Sequence, residues 1–554
     1  MNSKKKLFKH ICKGGLLLGL VMSLSSCSLI QTILQIVVDG GLDEFLNENE
    51  YDNYMLVDSP KEEINRNRDG NKAGYNISLL DEKYQEGYEI LPSIGEQKVL
   101  VIPVYFKDYT PISCIGDPQE GLDNINKAFF GEGYSNVVKD NMTGWESLKS
   151  YYYKSSYGKL IIDGKVTSWC PLSKTLEEVA TMSQYNDPTI WVLREAVNWF
   201  KTNYPGEIDE YDQDNDGFID AVTLIYPNEY YDGTGKQSYD RKYNNKTIES
   251  IEYLLWAYTY WDYEEKPNID DPVANVYTWL SYDTFFDGEY NIRQYLPGGI
   301  VEETSLVDCH TLIHEFGHVL GLDDYYSYDY LDEEPLGRLD MMDCNIGDHN
   351  SYSKYLLNWV EPILIEEPGE YVVTSLIEDH PNVLLIPADM ETFSYSPFSE
   401  YLLIEFYSPT GINEKDSKER YMDQESGVPY LFSKPGVKIL HVDSRLVVVN
   451  DFKKTYYYTS VNNDIINTAH EIQFIGANNT GSYSINEDFN LISLISSKTG
   501  KASFEYEDYA TNSDLFVSNS TLTGYTFNCG KELEYNIEIK DCGSNSATIS
   551  ITYR

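Results

Sequence analysis

The segment His310-Thr311-Leu312-Ile313-His314-Glu315-Phe316-Gly317-His318-Val319-Leu320-Gly321-Leu322-Asp323-Asp324 constrains this chain more than any other. His314 and His318 are four residues apart, so on a helix both imidazoles share one face and reach one ion. Leu312, Ile313, Phe316, Val319 and Leu320 interleave at helical spacing, which predicts a buried helix over 308–322. Gly321 can end it, because glycine accepts the left-handed backbone at a helix C-terminus. The chain then turns back and presents a carboxylate as a third ligand. Three protein ligands and one open position describe a catalytic zinc site, whereas a structural site would be closed. Glu315, next to His314, is placed to touch a water on that ion. Asp323 and Asp324 are adjacent, so the residues by themselves leave the third ligand open between them.

A second cluster has the ligand chemistry of a hard cation. Asp212-Gln213-Asp214-Asn215-Asp216-Gly217-Phe218-Ile219-Asp220 sends alternate side chains to one centre. Gly217 permits the sharp turn, Phe218 can offer its backbone carbonyl, and Asp212, Asp214, Asp216 and Asp220 supply carboxylates for calcium. Position twelve is Thr223 and a strand follows, so this is not an EF-hand. Its expected role is structural; the alternative is a solvated acidic turn.

Charge and composition narrow the class further. A net charge of -47 excludes nucleic acid as a partner, because a polyanion would be repelled over the whole surface. Hydrophobic residues make up 42% of the chain, enough for packed cores. Lys4, Lys5, Lys6, Lys9 and Lys13 form a basic start, Gly14 to Leu24 an apolar core, and Leu24-Ser25-Ser26-Cys27 a break of small residues. That is the layout of an export signal. The Leu-Ser-Ser-Cys ending resembles the lipobox of bacterial lipoproteins, with Cys27 as the lipid-bearing first residue of the mature protein; the alternative is an uncleaved membrane anchor. Six further cysteines, Cys114, Cys170, Cys309, Cys344, Cys529 and Cys542, lie in an exported chain, where disulfides are permitted.

The chain reads as five segments: a lipoprotein signal peptide over 1–26, a tether or pro-segment over 27–95, the metal-helix domain over 96–365, a β-rich domain over 366–509, and a small C-terminal β unit over 510–554. Lys98 to Phe106 is a continuous apolar run suited to a buried strand. Residues 146–157 and Thr189 to Tyr204 read as helices, and Lys159 to Trp169 and Ala221 to Tyr226 as strands. Past 365, strand-like runs at 370–376, 401–407, 437–442, 471–475 and 502–506 have sandwich or barrel texture.

With the metal helix, several segments together resemble the immune inhibitor A-like secreted metallopeptidases, relatives of the metzincins. They are Gln97 to Asp108, Ser147 to Trp169, Asp340-Met341-Met342-Asp343 leading into Ser353 to Trp359, Glu405, and Gly436 to Asp443. The resemblance spans roughly 97 to 445 and implies an α+β fold, a metzincin-like zinc-peptidase domain followed by β-sandwich-type domains. It implies Asp324 as the third zinc ligand beside His314 and His318, and Met342 as the methionine of the Met-turn. Similar acidic loops precede a core strand in that family. The resemblance brings the metal helix and the Met-turn together, which implies a disulfide between Cys309 and Cys344. His349 and Tyr352 follow the Met-turn and either donate a hydrogen bond to a developing oxyanion or are packing residues. His310, one helical turn before His314, either supports the site from behind or is plain core.

The expectation is therefore a secreted or surface-anchored zinc endopeptidase hydrolysing peptide bonds of extracellular proteins. Glu315 acts as general base and acid, Zn2+ and Ca2+ are the cofactors, an N-terminal lipid provides the membrane attachment, and the chain is a monomer. The alternative from another class is a calcium-stiffened surface adhesin or binding module with a non-catalytic metal helix.

Overall fold

The computed structural model describes residues 90–554 apart from 136–138, 183–186, 231–241, 244–245, 248–253, 263, 289, 297–299, 328–332, 394, 423–427, 451–454, 458–470, 480–488 and 506–507. The signal segment, Cys27 and nearly all of the expected tether lie outside the described residues.

The first sheet is built on β1 (Gly95–Tyr105). Leu100, Ile102 and Val104 pack into one apolar cluster and Val99 and Val101 into another, so both faces are buried and the run has no polar alternation. It pairs in parallel with β2 (Leu160–Val166) and β3 (Val222–Tyr226). The order is completed by β5 (Val276–Ser281), parallel to β3, and β4 (Tyr258–Trp261), which pairs antiparallel with β5 at the edge. One face is covered by α3 (Thr189–Asn203) through Val192, Leu193, Ala196 and Phe200. The opposite face carries α1 (Pro118–Phe130), α2 (Leu148–Ser155) and α4 (His310–Val319), the metal helix. One-turn α5 (Met341–Cys344) and α6 (Ser351–Leu356) follow.

Downstream, two largely antiparallel sheets stack. The first has the order β6 (Ile363–Leu364), β8 (Leu384–Pro387), β9 (Glu400–Tyr407), β10 (Gly436–Asp443) and β11 (Ile492–Leu494). The second has the order β7 (Gly369–Thr374), β14 (Ser546–Tyr553), β13 (Tyr535–Cys542) and β12 (Thr521–Leu522). Leu402, Ile404 and Ile439 meet Ile537, Ile549 and Ile551 between the sheets. The other faces of β9 and β10, through Tyr401, Leu403, Leu440 and Val442, join the cluster that buries Leu312, Ile313 and Phe316 of the metal helix. Helices and strands together give the α+β class. All described residues belong to one compact unit. Strand β7 lies within the segment read as the β-rich domain, yet it pairs over six residues with the last strand of the chain, so one sheet spans the boundary drawn at 510. Among the described residues no helix is long and apolar enough to cross a membrane.

Candidate metal centre

The metal helix is shorter than its apolar pattern, starting at His310 and ending after Val319. Its end explains the site. Gly321 has φ +88°. Its N–H donates to the His318 carbonyl at 2.9 Å, and the Leu322 N–H donates to the Gly317 carbonyl at 3.0 Å. This paired closure at a left-handed glycine reverses the chain within two residues. The reversal returns the Leu322 carbonyl to His318, whose Nδ1 lies 2.7 Å from it. His314 Nδ1 is likewise held, 2.8 Å from the Met341 carbonyl of α5. A carbonyl can only accept, so each Nδ1 carries the proton, and each Nε2 is the nitrogen left to face a ligand.

Both Nε2 atoms point at one oxygen. Asp324 Oδ1 stands 3.1 Å from His314 Nε2 and 3.2 Å from His318 Nε2. Ligand atoms about 2.0–2.1 Å from a tetrahedral zinc ion stand roughly 3.3 Å apart, so this donor set fits the ion in chemistry and in spacing. Asp324, not Asp323, completes the trio. Burial opposes charge on His318, but the Asp324 carboxylate outweighs it and pushes the imidazole up to about 10. Burial also works against Asp324, and the two imidazoles nevertheless hold it well below the usual carboxylate range.

Glu315 is buried beside the trio. Burial pushes its carboxyl up, while His314 and His318 pull the other way. Thr259 of β4 fixes it from the sheet: its Oγ1 donates to the Glu315 carbonyl at 2.8 Å and lies 3.4 Å from Oε2. The turn of α5 packs against the helix. A Cβ on Gly317 would stand 2.5 Å from the sulfur of Met342, so of the two methionines it is Met342 that packs against the helix at this glycine. The Tyr325 N–H donates to the Met342 carbonyl at 2.7 Å, which ties the third-ligand segment to the same turn.

Two residues that sequence reasoning did not single out approach from beyond β10. Asn478 Nδ2 donates to the carbonyls of Tyr325 (2.8 Å) and Ile492 (2.9 Å), and its Oδ1 accepts from Ile492 N at 3.1 Å. Asn479 Nδ2 donates to Asp324 Oδ2 at 3.0 Å. In sequence Asn478-Asn479-Thr480-Gly481 reads as an ordinary polar turn, which gives no signal of a role at the site.

Other expected residues fall elsewhere. His310 is held by carboxylates outside the trio: its Nδ1 is 2.5 Å from Asp308 and its Nε2 is 3.3 Å from Asp416. Its ring lies between Trp145 (3.9 Å) and Tyr421 (4.2 Å). Burial alone would lower its pKa, but the two carboxylates raise it to about 9. His349 and Tyr352 are packed in the core. His349 is fully buried against Tyr151, Tyr152 and Trp359, and Tyr352 is fully buried beside Tyr325. Burial drives His349 well below its ordinary range, so it is a neutral group, and its ring contacts favour the packing alternative. The Cys309–Cys344 disulfide is also corrected. Both thiols are free: Cys309 Sγ lies 3.5 Å from the Ala128 carbonyl and Cys344 Sγ 3.7 Å from Asp343. Bringing two segments together is not enough for a disulfide, which also needs the Cβ vectors to converge.

The acidic loop gathers Asp212, Asp214 and Asp216 within reach of one ion. Asp212 accepts from the N–H groups of Asp216 (3.0 Å) and Gly217 (3.1 Å), and Asp216 accepts from Phe218 N at 2.7 Å. Burial raises the Asp212 and Asp216 carboxyls. Gly217 is required: φ is +94°, and a Cβ would meet the Asn268 backbone at 2.6 Å. Asp220 stands outside the trio, its Oδ2 accepting from Gln213 N, and burial pushes it up to about 7. Phe218 is buried, and its backbone pairs with Val273.

No protein-family model and no curated protein matches this chain.

Proposed function

We propose that this chain is an exported zinc-dependent endopeptidase of the immune inhibitor A-like kind, with a metzincin-like catalytic domain and a lipid on Cys27. The observation that carries the reading is the shared orientation of His314 and His318. Each is tied through Nδ1 to a backbone carbonyl, and each aims Nε2 at the same Asp324 oxygen. A plain core histidine satisfies its nitrogens with whatever surrounds it; two rings fixed at one edge with the other edges converging on a carboxylate are arranged for a cation.

His314, His318 and Asp324 would hold zinc. Bound there, zinc would polarise a scissile carbonyl and make a water more acidic. Glu315 takes the proton of the attacking water and returns it to the leaving amine. Burial favours the protonated form of Glu315, and the two imidazoles oppose it. Thr259, at the edge of the sheet, holds the Glu315 backbone through its carbonyl. In this reading the Asp212–Asp214–Asp216 loop holds calcium and stiffens the fold without joining the chemistry.

Glu315→Gln tests the reading. It keeps the shape of the side chain but cannot accept the proton, so turnover of an unfolded protein substrate should fall by about 10²–10⁴. Zinc should stay near one per chain in that variant, whereas His318→Ala should lose both metal and activity. A zinc-loaded Glu315→Gln protein that cleaves at the wild-type rate would sink the mechanism.

A further inference from the structure

We infer that Asn479 is a positioning residue for the metal site, committing Asp324 to bind through Oδ1 alone; the inference rests on the zinc reading above. A carboxylate beside a cation can bind through one oxygen or both, and which it does depends on what occupies the second oxygen. Here Oδ1 faces the two imidazoles and Oδ2 accepts from Asn479 Nδ2 at 3.0 Å. The amide orientation follows from chemistry: the acceptor is a carboxylate, so the nitrogen must face it. Asn479 is itself 2% exposed, and the Asp324 side chain it meets is 14% exposed.

The neighbouring asparagine makes the contact rigid. Asn478 spans from the Tyr325 carbonyl, one residue past the third ligand, to both backbone groups of Ile492 in β11. The two side chains therefore grip the backbone and the carboxylate of the same dipeptide. Asn479 acts on the metal through Asp324, and Asn478 fixes the distance over which it acts. Partners of this type, hydrogen-bonded to a ligand but not to the ion, typically change metal affinity by about 10- to 100-fold.

The experiment uses the full chain and the variants Asn479→Ala and Asn479→Leu. Leucine fills nearly the same volume, so a packing defect and a lost donor are separated. Zinc affinity is measured by competition with a chromogenic chelator, the cobalt-loaded proteins are compared by visible absorption, and melting temperatures are recorded without metal. Both variants should bind zinc 10- to 100-fold more weakly than wild type. The visible cobalt bands should weaken, as they do when coordination rises above four once Oδ2 is released to the ion. Zinc affinity unchanged in both variants would overturn the inference, as would a fall confined to the metal-free melting temperature. If the wild-type chain itself binds no zinc, the reading of the site fails before the question of Asn479 arises.

Discussion

Replacing His310 tests whether this buried imidazole is a permanent cation of the core. The groups that face it are Asp308 on one nitrogen and Asp416 on the other, with the rings of Trp145 and Tyr421 above and below. Lys415 adds a positive charge nearby, over the Tyr290 ring at 4.1 Å. The folded-state pKa is about 9 against an ordinary 6.5. A raised pKa means that the folded state binds the proton more tightly, so the stabilisation is fully present below pH 6.5 and is lost as pH rises through 9. The shift corresponds to roughly 3 kcal/mol. Urea unfolding of the wild-type chain at several pH values between 6 and 9.5 should show stability falling, with roughly 3 kcal/mol of the fall due to His310. Asp220 and Asp343 are pushed up to about 7 and about 8 by burial and titrate in the same window, so the measure is the difference between wild type and His310→Gln. The variant should lose about 3–5 kcal/mol at pH 6.5, because two buried carboxylates are left without their cation. Its curve should approach that of the wild type as pH rises. Parallel curves across the window would refute the charged-imidazole account.

Two further outcomes follow from local geometry. Asp214→Ala with Asp216→Ala should abolish a calcium-dependent rise in melting temperature, which at a hundred times the dissociation constant corresponds to about 2.7 kcal/mol; an unchanged calcium response would make the loop only a turn. Gly317→Ala places a methyl 2.5 Å from the Met342 sulfur and should destabilise by roughly 1–2 kcal/mol despite the helical preference of alanine. Combining it with Met342→Ala should cost less than the two single changes together, and strict additivity in urea unfolding would show that the contact is not felt.

Much of the candidate site was legible because its information is local. Four-residue spacing places His314 and His318 on one face whatever else the chain does, and Gly321 marks the reversal that brings Asp324 back. Strand β1 was legible because both of its faces are buried, which leaves a continuous apolar run. What could not be read is held across long separations or by groups with no side-chain signature. Thr259 is 56 residues from Glu315, and Asn479 is 155 residues from Asp324. The carbonyls of Met341 and Leu322 are invisible to any motif, since every residue has one. His349 and Tyr352 stayed open between two roles for the converse reason. Their position just after the turn establishes proximity along the chain, but the direction of a side chain is decided by packing, and here packing turns both inward. The pairing of strand β7 with the last strand was equally unreadable, because a strand's composition does not state its partner.

The carbonyls have the larger consequence. A helix brings two imidazoles to one side, but each ring remains free to rotate and to exchange its proton between nitrogens, and a cation arriving there would have to freeze both. In this chain that freezing is done by backbone already committed to other structure. The Leu322 carbonyl belongs to the helix closure, and the Met341 carbonyl precedes that of Met342, which holds Tyr325. Asp324 is fixed from both sides, its backbone between these turns and its second oxygen by Asn479. Each tie is modest in a solvated peptide, yet in a buried site they act together, and the entropy of ordering three ligands is met during folding instead of during metal binding. The ties also reach beyond residue 365, because the asparagine pair is joined to β11, and β10 and β11 pack against the cluster that buries the helix. The β-rich half is therefore a wall of the candidate site. A short motif specifies which residues can meet an ion, while the distant strands and turns determine that they are already in place when it arrives.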